Sequence, residues 1–220
     1  MGAHVLLTSK PEGADSLLLG ILAGLVRPSR GTFQLAGLSR PGEARGGWAG
    51  RVAYLPPDGG FYPGLSPWEV LELAGRLAGY APAERRRRID EAVEHYRLGN
   101  ELRRPTSRAG ASLAQRVGLA AAMLGEPEVL LLDEPLRALD NEERWRLLRI
   151  PGRRRTVLMV SRYPAREEGL VDEVVFIRDG TVALHAGVEE LAAHGMTLSM
   201  RGIHALADLR AARSAIAASA

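Results

Sequence analysis

The chain has 220 residues, 46% of them hydrophobic, and a formal net charge of +3. That supply of apolar side chains excludes a disordered polymer and suffices for one α/β domain with a smaller subdomain. Cysteine is absent, which excludes a disulfide framework and a thiolate metal site; apolar runs such as Leu17 to Val26 are too short to span a bilayer, and Met1-Gly2-Ala3-His4 shows no secretory signal.

Lys10 is the only lysine, and every other fixed cation is arginine. The runs Arg85 to Arg88 and Arg153 to Arg155 read as solvated faces, so no nucleic-acid partner is expected.

In chain order, Val5 to Thr8 predicts a short strand and Ser9 to Ala14 a loop. Asp15 or Ser16 is placed to cap a helix over Leu17 to Leu25 that is apolar all round and so expected to be buried. Gly31 to Leu38 and Arg51 to Leu55 read as strands, and Pro56 to Gly60 as a forced loop. Ser66-Pro67-Trp68-Glu69 carries the cap, first-turn proline and third-position glutamate of a helix start. Trp68 and Tyr62 are expected to pack in the core or at a hinge. From Ser66 to about Leu124 the pattern is mostly helical, with charged Ala83 to Tyr96 as an outer helix. Ser112-Leu113-Ala114-Gln115 reads as a second capping box.

Glu128 to Pro135 is the most informative stretch. Four apolar residues lead into Asp133, Glu134 and a proline that cannot continue a strand. Carboxylates at the carboxyl end of a buried parallel strand can hold a magnesium ion and orient a water; the plainer alternative is a pair of acids capping the next turn. A helix around Asn141 to Leu148 and a strand at Thr156 to Ser161 follow. Val174 to Ile177 and Thr181 to His185 form a strand pair with Asp179-Gly180 as its turn. The tail Ile203 to Ala220 reads as helical or frayed.

Several segments now stand in a telling order. They are Leu22-Ala23-Gly24-Leu25-Val26-Arg27-Pro28 with Gly31, Arg51 to Pro56, Gln115 to Ala120, Val129 to Pro135 with Ala138-Leu139-Asp140, and Thr156 to Ser161. Over about Val5 to Leu191 the chain resembles the nucleotide-binding subunit of ABC transporters, and is most similar to the branch that pairs with ABC-2-type exporter permeases. The resemblance implies an α/β fold: a P-loop NTPase of the ABC type, with a mostly parallel central sheet and a helical subdomain over about residues 66–124. It implies an ABC ATPase-like domain over residues 1–191, a C-terminal helical extension over 192–220, and a truncated N-terminal β arm, since nothing precedes Met1 to supply the aromatic that stacks on adenine.

The same resemblance assigns the site residues and exposes their departures. The phosphate loop falls on Ser9, Lys10, Pro11, Glu12, Gly13, Ala14, Asp15, Ser16 and Leu17. A working loop reads G-x-x-x-x-G-K-[ST]; here Ser9 and Ala14 replace the glycines and Asp15 replaces the lysine. Ser16 and Asp133 keep the residue types that hold magnesium, and Glu134 that of the general base. The lid-loop glutamine position is Pro57 and the switch-histidine position is Arg162. The signature falls on Gly110, Ala111 and Ser112, with Gly110 where its serine belongs, and Asp140 is the D-loop aspartate.

The implied cofactors, ATP and magnesium, are therefore expected to bind weakly or not at all. The chain is expected to be a non-hydrolysing half of a transporter at the cytoplasmic face of the cell membrane, with integral-membrane permease subunits and a second, non-identical ATPase subunit as partners. The alternatives are an active transport ATPase, motivated by Asp133-Glu134, and a soluble adaptor reusing the fold. Lys10 is expected to be exposed, because Pro11 restricts its backbone. Asp15 is expected to fill the anion site at its helix start, with an Asp15–Arg162 contact or a simple cap as the two forms. Arg162 is also placed to pair with the strand-end carboxylates.

Overall fold

The structure is a computed structural model. It describes residues 2–35, 37–39, 50–60, 64–106, 110–135, 137–148 and 155–218. Tyr62, Arg153 and Arg154 lie outside the described residues.

A six-stranded sheet runs in the order β4-β5-β6-β1-β7-β8. Its strands are β1 (His4–Lys10), β4 (Val52–Leu55), β5 (Val129–Asp133), β6 (Thr156–Val160), β7 (Glu173–Arg178) and β8 (Thr181–Gly187). The first five in spatial order are parallel, and β8 pairs antiparallel with β7. The Asp179-Gly180 turn has φ of 49° and 76°, the left-handed pair a two-residue hairpin requires. Gly31 to Leu38 does not form the single strand expected. It gives two short strands, β2 (Gln34–Leu35) and β3 (Leu38–Ser39), paired in a separate sheet, with Gly37 between them at φ 73°.

All five residues of β5 are buried. Side chains alternate across a strand, so this run must face two covered surfaces. Leu130 and Leu132 join one apolar cluster; Val129 and Leu131 join another on the opposite face. Leu6 and Leu7 of β1 divide the same way. The strand is interior but lies second from the β4 edge, while β6 and β1 hold the middle.

Helix α1 (Ala14–Leu22) covers the second cluster through Leu19, Leu18 and Leu22. It begins and ends earlier than the apolar run suggests. Gly13, at φ 99°, is its N-cap, so Asp15 lies inside the first turn and does not cap it. At the other end Gly24 turns left-handed at φ 78° and Leu25 N–H returns to Gly20 O, which stops the helix. Nor is α1 buried all round: Leu17 is 53% exposed.

Helices α2 (Pro67–Leu77), α3 (Pro82–His95) and α4 (Ala111–Leu124) cover the other face. The capping box at Ser66 forms as expected, with Glu69 Oε2 accepting Ser66 N–H at 2.8 Å. Ser66→Ala is expected to cost about 1 kcal/mol in denaturant unfolding, because the first-turn amide loses its acceptor and Glu69 its hydroxyl partner. Trp68 packs against the core, with the Arg86 and Arg103 guanidinium groups 4.6 and 5.3 Å from its ring. Arg85 to Arg88 are all paired with carboxylates, to Glu72, Asp90, Glu91, and Glu84 with Glu126. The run is a neutralised face, not a basic stripe.

The Ser112 box does not form. Helix α4 starts two residues earlier than that box requires, at Ala111, with Gly110 as N-cap and no side-chain cap. Gln115 is drawn elsewhere. Its Nε2 donates to Glu134 O at 3.1 Å and its Oε1 accepts Ala138 N–H at 2.8 Å. Gly118, one turn on, lets α4 approach the lid loop: a Cβ there would lie 3.0 Å from Gly59 O.

Helix α5 (Asn141–Leu148) follows β5, and α6 (Val188–Ala193) and α7 (Met200–Ala218) end the chain. Leu198, Ile203, Leu206 and Ala207 bury into the same cluster as Leu6 and Phe176, so α7 packs against the sheet. Among the described residues no helix is long and apolar enough to cross a membrane.

Candidate functional site

Strands β5, β6 and β1 are neighbours, so their carboxyl ends deliver three segments to one place. These are Glu134 after β5, Ser161-Arg162 after β6, and the loop 11–13 after β1. A cavity of about 440 Å³ opens there. It is lined by Ser9 and Lys10 from the end of β1, by Glu12, Gly13, Asp15 and Ser16 from the loop and α1, and by Glu134 and Arg162 after the other two strands.

The phosphate-loop segment holds itself in shape. β1 continues through Ser9 and Lys10, two residues further than the sequence suggests, because Lys10 still pairs with Arg178. Ser9 Oγ donates to Pro11 O at 3.0 Å and accepts Asp15 N–H at 3.4 Å. Lys10, Pro11, Glu12 and Gly13 are exposed. Ala14 opens α1, and Asp15 is only 7% exposed. Its Oδ1 accepts Ser16 N–H at 3.0 Å. A carboxylate therefore sits in the first turn of α1, where the helix amides favour negative charge.

Ser16 Oγ donates to Asp133 Oδ1 at 2.9 Å. Tyr54 OH approaches the other Asp133 oxygen at 3.5 Å. Burial holds the Asp133 carboxyl above its usual range, and the charge of Asp15 pushes the same way, against the Ser16 hydrogen bond. Glu134 sits at φ 50°, a left-handed conformation costing about 1–2 kcal/mol for a residue with a side chain. Gln115 holds its carbonyl and Val160 O receives its N–H at 3.1 Å. Its Oε1 accepts the Arg162 N–H at 2.9 Å and lies 3.5 Å from Arg162 Nε. Burial also raises the Glu134 carboxyl, opposed by Arg162.

Arg162 thus pairs with Glu134. The expected Asp15–Arg162 contact is not formed among the described residues; the backbone of Arg162 binds Glu134 directly and its guanidinium follows. Pro57 is exposed in the lid loop. Gly110, Ala111 and Ser112 form the amino end of α4, outside the lining of this cavity. Asp140 caps α5, its Oδ1 accepting Glu143 N–H at 2.8 Å. Leu17 faces solvent on α1.

Two arrangements had no counterpart in the sequence reading. Gln115 ties α4 to the loop after β5. The second is a buried ion pair, Arg144 to Glu167 at 3.0 Å, with side chains 3% and 1% exposed. Ser161 Oγ donates to the same Glu167 oxygen at 2.8 Å, and Arg144 also holds Arg166 O at 2.9 Å. The pair fixes the base of the Ser161-Arg162 segment to α5. A charged residue on a solvated face and one in a core look alike in a sequence, so only the three-dimensional register reveals it.

A protein-family model described as ABC transporter matches residues 15–137. This chain belongs to the ABC transporter family. YxlF, an uncharacterized ABC transporter ATP-binding protein of Bacillus subtilis (strain 168), is 31% identical over 82% of this chain and 61% of its own. The molybdate/tungstate import ATP-binding protein WtpC of Archaeoglobus fulgidus is 32% identical over 87% of this chain and 80% of its own. The chain spans 54% and 59% of two further relatives, so it corresponds to only part of several family members. A solved ATP binding subunit of an ABC transporter superposes with a TM-score of 0.79 over 94% of this chain and 88% of that one, at 24% identity. The ABC transporter fold, a mostly parallel sheet with helices on both faces, is therefore established for this chain.

Proposed function

We propose that this ABC transporter subunit contributes structure rather than ATP turnover, pairing with an intact, non-identical ATPase subunit beneath a membrane permease on the cytoplasmic face of the cell membrane. The observation that carries this reading is Asp15, a buried carboxylate in the first turn of α1 at the position where the family motif has its phosphate-binding lysine. Exchange of a cation for an anion changes the local charge by two units. One close charge contact is worth up to about 4 kcal/mol at an effective dielectric near 20. A severalfold smaller effect still exceeds the roughly 1.4 kcal/mol of a tenfold affinity change. Ser9 and Ala14 in place of glycines, and Arg162 pinned to Glu134, act in the same direction. A triphosphate does not fit this donor set. The exporter branch rests on the sequence resemblance.

One observation favours a second reading. Ser16 Oγ and Asp133 lie together at 2.9 Å, the pair that could share a magnesium ion in an active transport ATPase. A titration of the purified chain with magnesium-ATP separates the two. The expected result is no saturable binding to millimolar nucleotide and no phosphate release. Submillimolar binding, with hydrolysis lost in Glu134→Gln, would establish the active enzyme instead. Affinity purification from native membranes tests the partners: recovery with a permease and a second ATPase is expected, and recovery of a lone soluble chain would favour an adaptor.

A further inference from the structure

Helix α1 joins two different regions of the molecule. At its start lies the cavity, to whose wall α7 adds Met200 and His204. At its finish, nine helical residues or about 13 Å away, the chain turns through Gly24 into a largely exposed loop, Gly24 to Arg30.

This loop combines two chemistries. Leu25 and Val26 are 70% and 40% exposed, and among the described residues they are the only consecutive pair of large apolar side chains left so open. A single exposed leucine needs no explanation; an adjacent pair flanked by cations does. Arg27 and Arg30 stand exposed beside them. Among the described residues neither arginine makes an ion pair, and no acidic residue occurs between Asp15 and Glu43 to supply one locally. The exposed Arg86 and Arg87 of α3 are, by contrast, each matched with a carboxylate.

The loop is held in place. The N–H groups of Leu25 and Val26 both donate to Gly20 O, at 3.0 and 3.1 Å. Gly24 turns left-handed at φ 78° to permit this, and Pro28 fixes its own φ. Val26 Cγ2 packs on Gly20, 3.3 Å from where a Cβ would lie. The backbone is pinned while Leu25 stays in water, so little conformational freedom is left to lose on binding.

We propose that the loop Gly24 to Arg30 is a membrane-contact element, with Leu25 and Val26 entering the interface of an anionic lipid bilayer and Arg27 and Arg30 pairing with lipid phosphates. Size decides for lipid over a protein partner. The loop has seven residues, far fewer than the roughly 20–30 per side of a stable protein interface. A few apolar side chains flanked by cations suffice for reversible attachment to an anionic bilayer. The net charge of +3 acts in the same direction. Contact there leaves the cavity open, because the cavity lies at the other end of α1. The inference goes beyond pairing with a permease, since it gives this chain a lipid contact of its own.

The test is sedimentation of the purified full chain, without nucleotide, with vesicles of phosphatidylcholine alone or mixed with phosphatidylglycerol. Binding to the anionic vesicles is expected, weakened by added salt. Arg27→Ala and Arg30→Ala should each lower the partition coefficient about fivefold, and Leu25→Asp about tenfold or more. Leu77→Asp, at a leucine of α2 that is 78% exposed, should leave it unchanged. Slowed amide exchange at Arg27 and Ser29 of the wild-type chain on adding anionic vesicles locates the contact independently of any variant. Absence of binding to anionic vesicles, equal binding to both compositions, or equal loss in Leu25→Asp and Leu77→Asp overturns the proposal. So does loss of permease recovery from native membranes in Arg27→Ala with vesicle binding unchanged, which assigns the loop to a protein partner. None of these results bears on nucleotide; the non-turnover reading stands or falls by the magnesium-ATP titration.

Discussion

Arg144→Met is expected to lower folding stability by about 3–5 kcal/mol, and the melting temperature by roughly 6–20 °C. The magnitude follows from what is left behind. Glu167 is 1% exposed, and its Oε2 already meets no donor among the described residues. Without Arg144 its charge keeps, among the described residues, only the Ser161 hydroxyl as partner. The double variant Arg144→Met with Glu167→Leu should recover most of the loss, because an apolar pair of similar volume removes the stranded charge. A double variant as unstable as the single one would show that the pair adds stability in its own right. Fluorescence- or calorimetry-monitored unfolding of the wild type, Arg144→Met and the double variant decides the matter.

Asp15→Lys is expected to have the largest effect on ligand binding. It restores the residue type that faces the outer phosphates in the family motif and moves the local charge by two units. An affinity gain for magnesium-ATP well above about tenfold is expected. Asp15→Asn, which removes the anion without supplying a cation, should fall between the variant and the wild type. Hydrolysis should stay slow in both, because Pro57 and Arg162 are unchanged and Glu134 remains bound by the Arg162 N–H. Equal nucleotide affinity for wild type and Asp15→Lys would mean that Asp15 does not control the site.

The sequence disclosed the fold through its strands and lost detail where a side chain chose a distant partner. Ser66-Pro67-Trp68-Glu69 and Ser112-Leu113-Ala114-Gln115 obey the same local rule, yet only the first forms a capping box. Glu69 turns back to the Ser66 N–H and hydroxyl, whereas Gln115 reaches Glu134 O and Ala138 N–H across the helix–sheet junction. The β5 carboxylates were legible because a buried apolar run ending in acids and a proline has few other meanings. The partner of Arg162 was legible only as a choice between acids. The chain order cannot say which carboxylate the Arg162 amide will meet, and that backbone contact selected Glu134. The start of α1 was misplaced for a related reason: the apolar run begins at Leu17, but the left-handed Gly13 sets the first turn three residues earlier. The contribution of α7 to the cavity wall was also out of reach, since nothing in its alanine-rich sequence refers to the loop after β1.

The Gln115 bridge has a mechanical consequence. One amide side chain grips the loop after β5 by a carbonyl and an N–H, four residues apart on that loop. It behaves as a bolt through two plates. Movement of the amino-terminal part of α4 relative to the end of β5 must shear both hydrogen bonds together. A push delivered to α2 and α3 would reach the end of β5 through a lever whose fulcrum is Gln115.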